Sequence, residues 1–133
     1  MNINPSMSCD TKPYALVIED NPTFAQVLAD LLEIKGCRAI VAENALNALK
    51  LIAELTPKII FCSINLPGKV NSFFLANAVK NNSQLSNIPL VAISETINDV
   101  EKDRTLQAGF DMLFSKPLKF ADFARVLKVF LNI

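Results

Sequence analysis

Histidine is missing from all 133 residues. Without an imidazole, no Ser–His or Cys–His pair can be assembled for nucleophilic catalysis, and the zinc ligand sets that need one are excluded. Glycine is scarce as well, occurring only at Gly36, Gly68 and Gly109. These positions are too far apart to build a Gly-x-Gly-x-x-Gly or Walker-type phosphate loop. Cysteine occurs at Cys9, Cys37 and Cys62, an odd and widely spaced set with no Cys-x-x-Cys. That spacing indicates neither a disulfide framework nor a zinc site, and a reduced, cytoplasmic protein is the simplest account. Cys62 reads as a small buried hydrophobe.

Net charge is also lacking: 13 basic residues balance 13 acidic ones. An electrostatic argument for a nucleic-acid or anionic-membrane partner is thereby removed. No apolar run has the length to span a bilayer. The first ten residues have neither a basic start nor an apolar core, so they do not read as a signal peptide. Residues 1–12 read as a flexible arm and residues 13–133 as one domain. A chain of this length buries roughly two-thirds of its unfolded surface without disulfides or metal.

What is present is an alternation of short apolar runs with helical patterns. Lys58-Ile59-Ile60-Phe61-Cys62-Ser63, bounded by Pro57 and by Pro67-Gly68, is too short for a helix and predicts a strand buried on both faces. Tyr14-Ala15-Leu16-Val17-Ile18 reads the same way and runs into Glu19-Asp20-Asn21. Asn21 is a preferred N-cap and Pro22 suits a first helical position. The following helix places Phe24, Val27, Leu28 and Leu31 on its apolar face and stops at Gly36. A second strand spans Arg38-Ala39-Ile40-Val41. Asn44 is placed to cap the next helix, whose Leu46, Leu49 and Ala53 share a face.

A third helix is expected from Ser72 to Lys80, carrying Phe73, Phe74, Ala76 and Ala78, followed by a polar loop. Pro89-Leu90-Val91-Ala92-Ile93 is a fourth strand ending in Ser94. A helix from Asp99 to Ala108 stops at Gly109, residues 111–114 form a fifth strand, and Ser115-Lys116-Pro117 follows. The last helix carries Phe120, Phe123, Leu127 and Phe130, of which Phe123 and Phe130 are expected to face the core. Five strands alternating with five helices predict an α/β, doubly wound parallel sheet with helices on both faces.

Parallel strands bring their carboxyl ends to one edge, where ligands bind in open α/β sheets. Polar residues collect there: Glu19 and Asp20, Ser63, Ser94 and Lys116. Two adjacent carboxylates repel, so an opposite charge is wanted, from Lys116 or from a divalent cation. A polar rim with a structural Lys–carboxylate pair accounts for the pattern equally well.

With these residues in order, the chain resembles a response-regulator receiver domain over about residues 13–132. Glu19-Asp20-Asn21 resembles that family's acidic pair, and residues 57–68 resemble the segment around its phosphoacceptor. Residues 88–94 resemble its fourth strand with the switch Ser/Thr. Ala108-Gly109-Phe110-Asp111 and Lys116-Pro117 resemble its closing signature. The resemblance implies a (βα)5, flavodoxin-like fold with strand order 2-1-3-4-5. It also implies that Asp20, assisted by Glu19 and the backbone carbonyl of Asn65, binds Mg²⁺. Ser94 would contact a phosphoryl oxygen, Lys116 would pair with it, and the Lys116–Pro117 bond would be cis.

The departure falls at the centre. Ser63 stands where the family has its phosphoacceptor aspartate. A serine hydroxyl is a weak nucleophile without a base, and losing a carboxylate weakens a hard-cation site. Direct pairing of Lys116 with Asp20 then becomes a competent resting state. Leu113 occupies a position that often carries an aromatic or His switch residue, and it reads as packing under the last helix. Val70-Asn71 replaces an Asp-Gly pair often found after this loop.

Three readings of function follow. In the first, a stand-alone receiver-like domain of two-component signalling acts by protein–protein interaction, without aspartyl phosphorylation and with no required cofactor. Its partner would be a histidine kinase, another receiver or an output protein, and a homodimer through the face formed by the fourth helix, fifth strand and fifth helix belongs to the same reading. In the second, a phosphorelay receiver uses Asp20 or Glu19 as acceptor. The third, a small flavodoxin-like enzyme, has little support without His or a glycine-rich loop. A DNA-binding output is not expected, because no basic cluster occurs and the chain ends just after the fifth helix.

Overall fold

Asparagine starts four of the five helices. In the computed structural model, which describes residues 12–66, 68, 70–95 and 97–133, the side-chain carbonyls of Asn21, Asn44, Asn71 and Asn98 each accept a backbone N–H from the first helical turn. Each cap satisfies a donor the helix cannot, and is worth about 1 kcal/mol. The elements run β1 Tyr14–Ile18, α1 Pro22–Ile34, β2 Arg38–Ala42, α2 Ala45–Leu55, β3 Ile59–Ser63, α3 Ser72–Lys80, β4 Leu90–Ser94, α4 Asp99–Ala108, β5 Met112–Ser115 and α5 Phe120–Leu131. Residues 1–11, most of the expected arm, and Pro67 of the expected Pro-Gly loop lie outside the described residues.

All strands are parallel, in the order β2-β1-β3-β4-β5. The chain therefore has the doubly wound, flavodoxin-like architecture. β3 and β4 are buried along their whole length. Strand alternation splits the core in two. Leu16, Ile18, Ile60, Cys62, Leu90 and Ala92 pack with α2 and α3 on one face. Ala15, Val17, Ile59, Phe61, Val91 and Ile93 pack with α1 and α5 on the other. Phe61 and Phe123 meet across that second layer with ring centroids 5.5 Å apart.

The strand boundaries differ from the sequence reading by one residue in β2, β3, β4 and β5. At β5 the reason is Asp111, whose carboxylate accepts the Leu90 N–H at 2.8 Å and takes Lys80 Nζ at 3.2 Å. Its side chain thus caps the sheet's entry edge, while its backbone N–H donates to Leu90 O at 2.8 Å. The helical faces are also rotated from expectation. α1 buries Ala25, Leu28, Ala29 and Leu32, while Val27 is 50 % exposed. α2 buries Ala45, Ala48 and Ile52, while Leu46 and Ala53 are exposed. On α3, Leu75 and Val79 are buried and Phe74 is exposed. Small alanines face the sheet because they let helix and strands approach closely, so the bulkiest side chains do not mark the inward face. Phe123 is buried and Phe130 packs against the core as expected, but Phe120 is exposed.

α4 is the least anchored helix, with Thr105 its one buried residue. Phe61→Ala is expected to lower unfolding free energy by about 3–5 kcal/mol, and Val27→Ser by no more than about 0.5 kcal/mol, in urea titrations. Amide hydrogen exchange is expected to be markedly faster in α4 than in β3, since few buried contacts hold it.

Candidate functional site

Register decides which polar residues meet. Ile18 lies opposite Cys62, so Glu19, the next residue, comes level with Ser63. Ser94 lies opposite Ser115, which places Lys116 at the same carboxyl edge. Glu19 continues the β1 ladder by donating its N–H to Ala42 O at 3.0 Å. Its side chain is consequently held at the sheet edge and is 2 % exposed, whereas Asp20, one residue on, is exposed.

This difference corrects the expected resting pair. Lys116 does not pair with Asp20: its Nζ lies 2.7 Å from Glu19 Oε1. The contact is an ion pair between a buried carboxylate and a mostly buried ammonium. Glu19 Oε2 accepts the Asn21 N–H at 3.0 Å. Lys116 Nζ also lies 4.8 Å above the Phe24 ring centroid, a cation–π contact from α1. Burial pushes the Glu19 carboxyl up, but Lys116, the Asn21 N–H and a hydrogen bond shared with Asp20 outweigh it and hold the group below its ordinary value of 4.5. Asp20 is pushed up, first by that shared hydrogen bond with Glu19 and then by desolvation.

Ser63 ends β3 at 4 % exposure. With Glu19, Asp20, Asn65, Glu95 and Lys116 it lines a cavity of about 280 Å³. Ser94 is buried, and its hydroxyl donates to Glu101 Oε1 at 3.3 Å. Leu113 packs with the α2–α3 layer, among residues such as Leu75 and Ala108. It does not lie under the last helix, because its neighbours Met112 and Phe114 take that face. The Lys116–Pro117 bond is cis. Burial pushes the Cys62 thiol up to about 12, so it is no nucleophile.

Three residues were missed in the sequence. Ser72 is fully buried, and its hydroxyl donates to Ser63 O at 2.6 Å and Ile64 O at 2.9 Å, tying the start of α3 to the end of β3. Only its place beside the cap Asn71 could have signalled it. Phe24 reads by its helical spacing as ordinary core. Glu95 follows Ser94 at a strand end, and that position is its signal in the sequence.

The sequence profile of response-regulator receiver domains matches residues 15–128. The chain belongs to the response-regulator receiver family. It is 29 % identical over 117 residues to a polar-differentiation response regulator, DivK, of Brucella anthropi, covering 88 % of this chain and 94 % of that protein. Among solved structures it is similar to the receiver domain of a signal-transduction histidine kinase from Syntrophus aciditrophicus, with TM-score 0.82, 25 % identity and 90 % of each chain covered. It shares its fold with the Vibrio cholerae chemotaxis protein CheY4, with TM-score 0.83, 18 % identity, and 90 % of this chain and 99 % of that one covered.

A receiver's Mg²⁺ needs several oxygens around one point. In this receiver Lys116 occupies Glu19, Ser63 offers a neutral hydroxyl, and among the described residues no three Asp, Glu, His or Cys side chains are grouped to hold a metal ion. That leaves the ion a site poorer in charge, with Glu19 and Asp20 as the two adjacent carboxylates at this edge among the described residues. Among them, too, no helix is long and apolar enough to cross a membrane.

Lys116→Met would leave Glu19 buried and unpaired, so stability at pH 7 is expected to fall by about 3–5 kcal/mol, and Glu19→Gln with Lys116→Met to restore most of it. Because Glu19 binds its proton more weakly when folded, its contribution is present above about pH 4.5 and is lost as pH falls through the lowered value. In urea titrations from pH 7 to 3, the advantage of wild type over Glu19→Gln should shrink below that point. Asp20, shifted the other way, favours the folded state less once ionised, so Asp20→Asn should not destabilise at neutral pH.

Proposed function

We propose that this receiver domain of two-component signalling works by binding proteins, without taking a phosphoryl group on an aspartate. The observation that carries the reading is the residue at the end of β3. Ser63 occupies the phosphoacceptor position with a hydroxyl, and no imidazole exists in the chain to activate it. A phosphoserine formed there would be a stable ester with no built-in reset. Lys116, the residue that would pair with a phosphoryl group, is engaged by Glu19 and Phe24.

The scaffold around this pocket keeps the receiver architecture, so its surfaces remain available to a histidine kinase, another receiver or an output protein. Exposed apolar side chains favour a contact through α4, β5 and α5, including pairing of two copies: Val100 and Leu106 on α4, Phe120 and Val129 on α5. A second reading keeps phosphorelay chemistry with Asp20 as acceptor, and one observation favours it. Asp20 is exposed at the cavity and forms no ion pair with a described residue.

Incubation with acetyl phosphate and Mg²⁺ followed by intact mass decides between the two. Wild type is expected to stay unlabelled and Ser63→Asp to gain a phosphoryl adduct. An adduct on wild type that disappears in Asp20→Asn would instead establish the second reading.

A further inference from the structure

We propose that the cavity at the strand ends is a socket for an arginine side chain presented by a protein partner. This rests on the binding reading above and names the chemistry of the contact at the same site. Three carboxylates, Glu19, Asp20 and Glu95, line the cavity together with a single cation, Lys116. That cation is held 2.7 Å from Glu19 and stacked on Phe24, so it neutralises one carboxylate and is not free for the others. Asp20 and Glu95 are exposed and form no ion pair with any described residue. Asp20 and Glu95 thus face the opening without an ion-pair partner in the described lining, and Lys116 acts on Asp20 only at longer range.

A second observation is independent of charge. Ser63 is 96 % buried, since its exposure is 4 %, and it lines this cavity, yet its hydroxyl makes no hydrogen bond to a described residue. The hydroxyl is reached from the cavity, so it is open to a donor arriving there. The ligand chemistry that answers both observations is a cation rich in N–H donors. An anion would be repelled by Asp20 and Glu95. A divalent metal is the competing cation, and it would have to share Glu19 with Lys116, which lies 2.7 Å from it. A lysine ammonium concentrates its three donors on one atom, whereas a guanidinium spreads five donors in a planar fan. Acceptors distributed around the cavity, from the Asp20 and Glu95 carboxylates to the Ser63 hydroxyl and the Asn65 amide, suit the fan.

The test titrates the isotope-labelled full chain with N-acetyl-arginine amide at low salt and follows backbone amide shifts. Saturable shifts centred on Ser63, Asn65 and Glu95 are expected, with millimolar affinity weakened by added salt. The citrulline counterpart, of the same shape without the charge, should cause none. Asp20→Asn and Glu95→Gln should each weaken binding about three- to fivefold, as for exposed ion pairs, and Glu54→Gln on α2 should not. Shifts that fail to saturate, or that citrulline reproduces, would overturn the proposal. So would tighter binding of N-acetyl-lysine amide or of Mg²⁺ at the same residues. Phosphoryl labelling of wild type would sink the parent reading through a different measurement, while failure of arginine to bind would leave an unlabelled wild type standing.

Discussion

A strand buried on both faces has one place for a polar side chain, and that place is its end. β3 runs through the middle of the sheet with every residue buried, so Ser63 is forced to the carboxyl edge. Parallel pairing with β1 and β4 then brings Glu19 and Ser94 to the same edge, and pairing of β4 with β5 brings Lys116. The sheet brings these groups to one edge, and the residues that follow its strands, Glu19, Asp20, Asn65, Glu95 and Lys116, complete the site. Ser72 reinforces the corner by binding two carbonyls just where β3 leaves the ladder.

Once these groups are together, electrostatics sorts them. Glu19 is nearly inaccessible and would be costly as an unpaired charge, so it claims Lys116. Asp20, still in contact with solvent, tolerates being the carboxyl with the weaker hold on its charge. The result is a neutralised inner pair and an acidic outer rim of Asp20 and Glu95. A receiver that carries a third acid at the Ser63 position would stand in a different balance. Here a neutral hydroxyl ends the central strand, beside Glu19 and Asp20.

Much of the fold was legible because local signals agreed with one another. Asn21-Pro22, Asn44 and the apolar runs at β1, β3 and β4 point to the elements found. The helical faces were less legible. Val27 and Leu46 belong to their helical patterns by hydrophobicity, yet both are exposed, because alanines occupy the positions nearest the sheet. At the site, Glu19, Asp20, Ser63, Ser94 and Lys116 could be named from strand ends alone. Their pairing could not, since adjacent residues such as Glu19 and Asp20 are equivalent by composition and differ only in burial.

The amino-acid sequence by itself determined the alternation of elements, the parallel sheet it requires, and the absence of imidazole and of glycine-rich loops, which removes Ser–His and Cys–His pairs and Walker-type phosphate loops. It also determined that a hydroxyl stands at the end of the central strand. Only the tertiary structure decided that Lys116 binds Glu19, that Phe24 covers it, that Ser94 turns to Glu101, and that Glu95 joins the cavity. The reason is physical. Secondary structure follows from periodicities within one segment, whereas an ion pair is chosen by which of two neighbouring carboxylates loses its water, and that depends on strands brought together from across the chain.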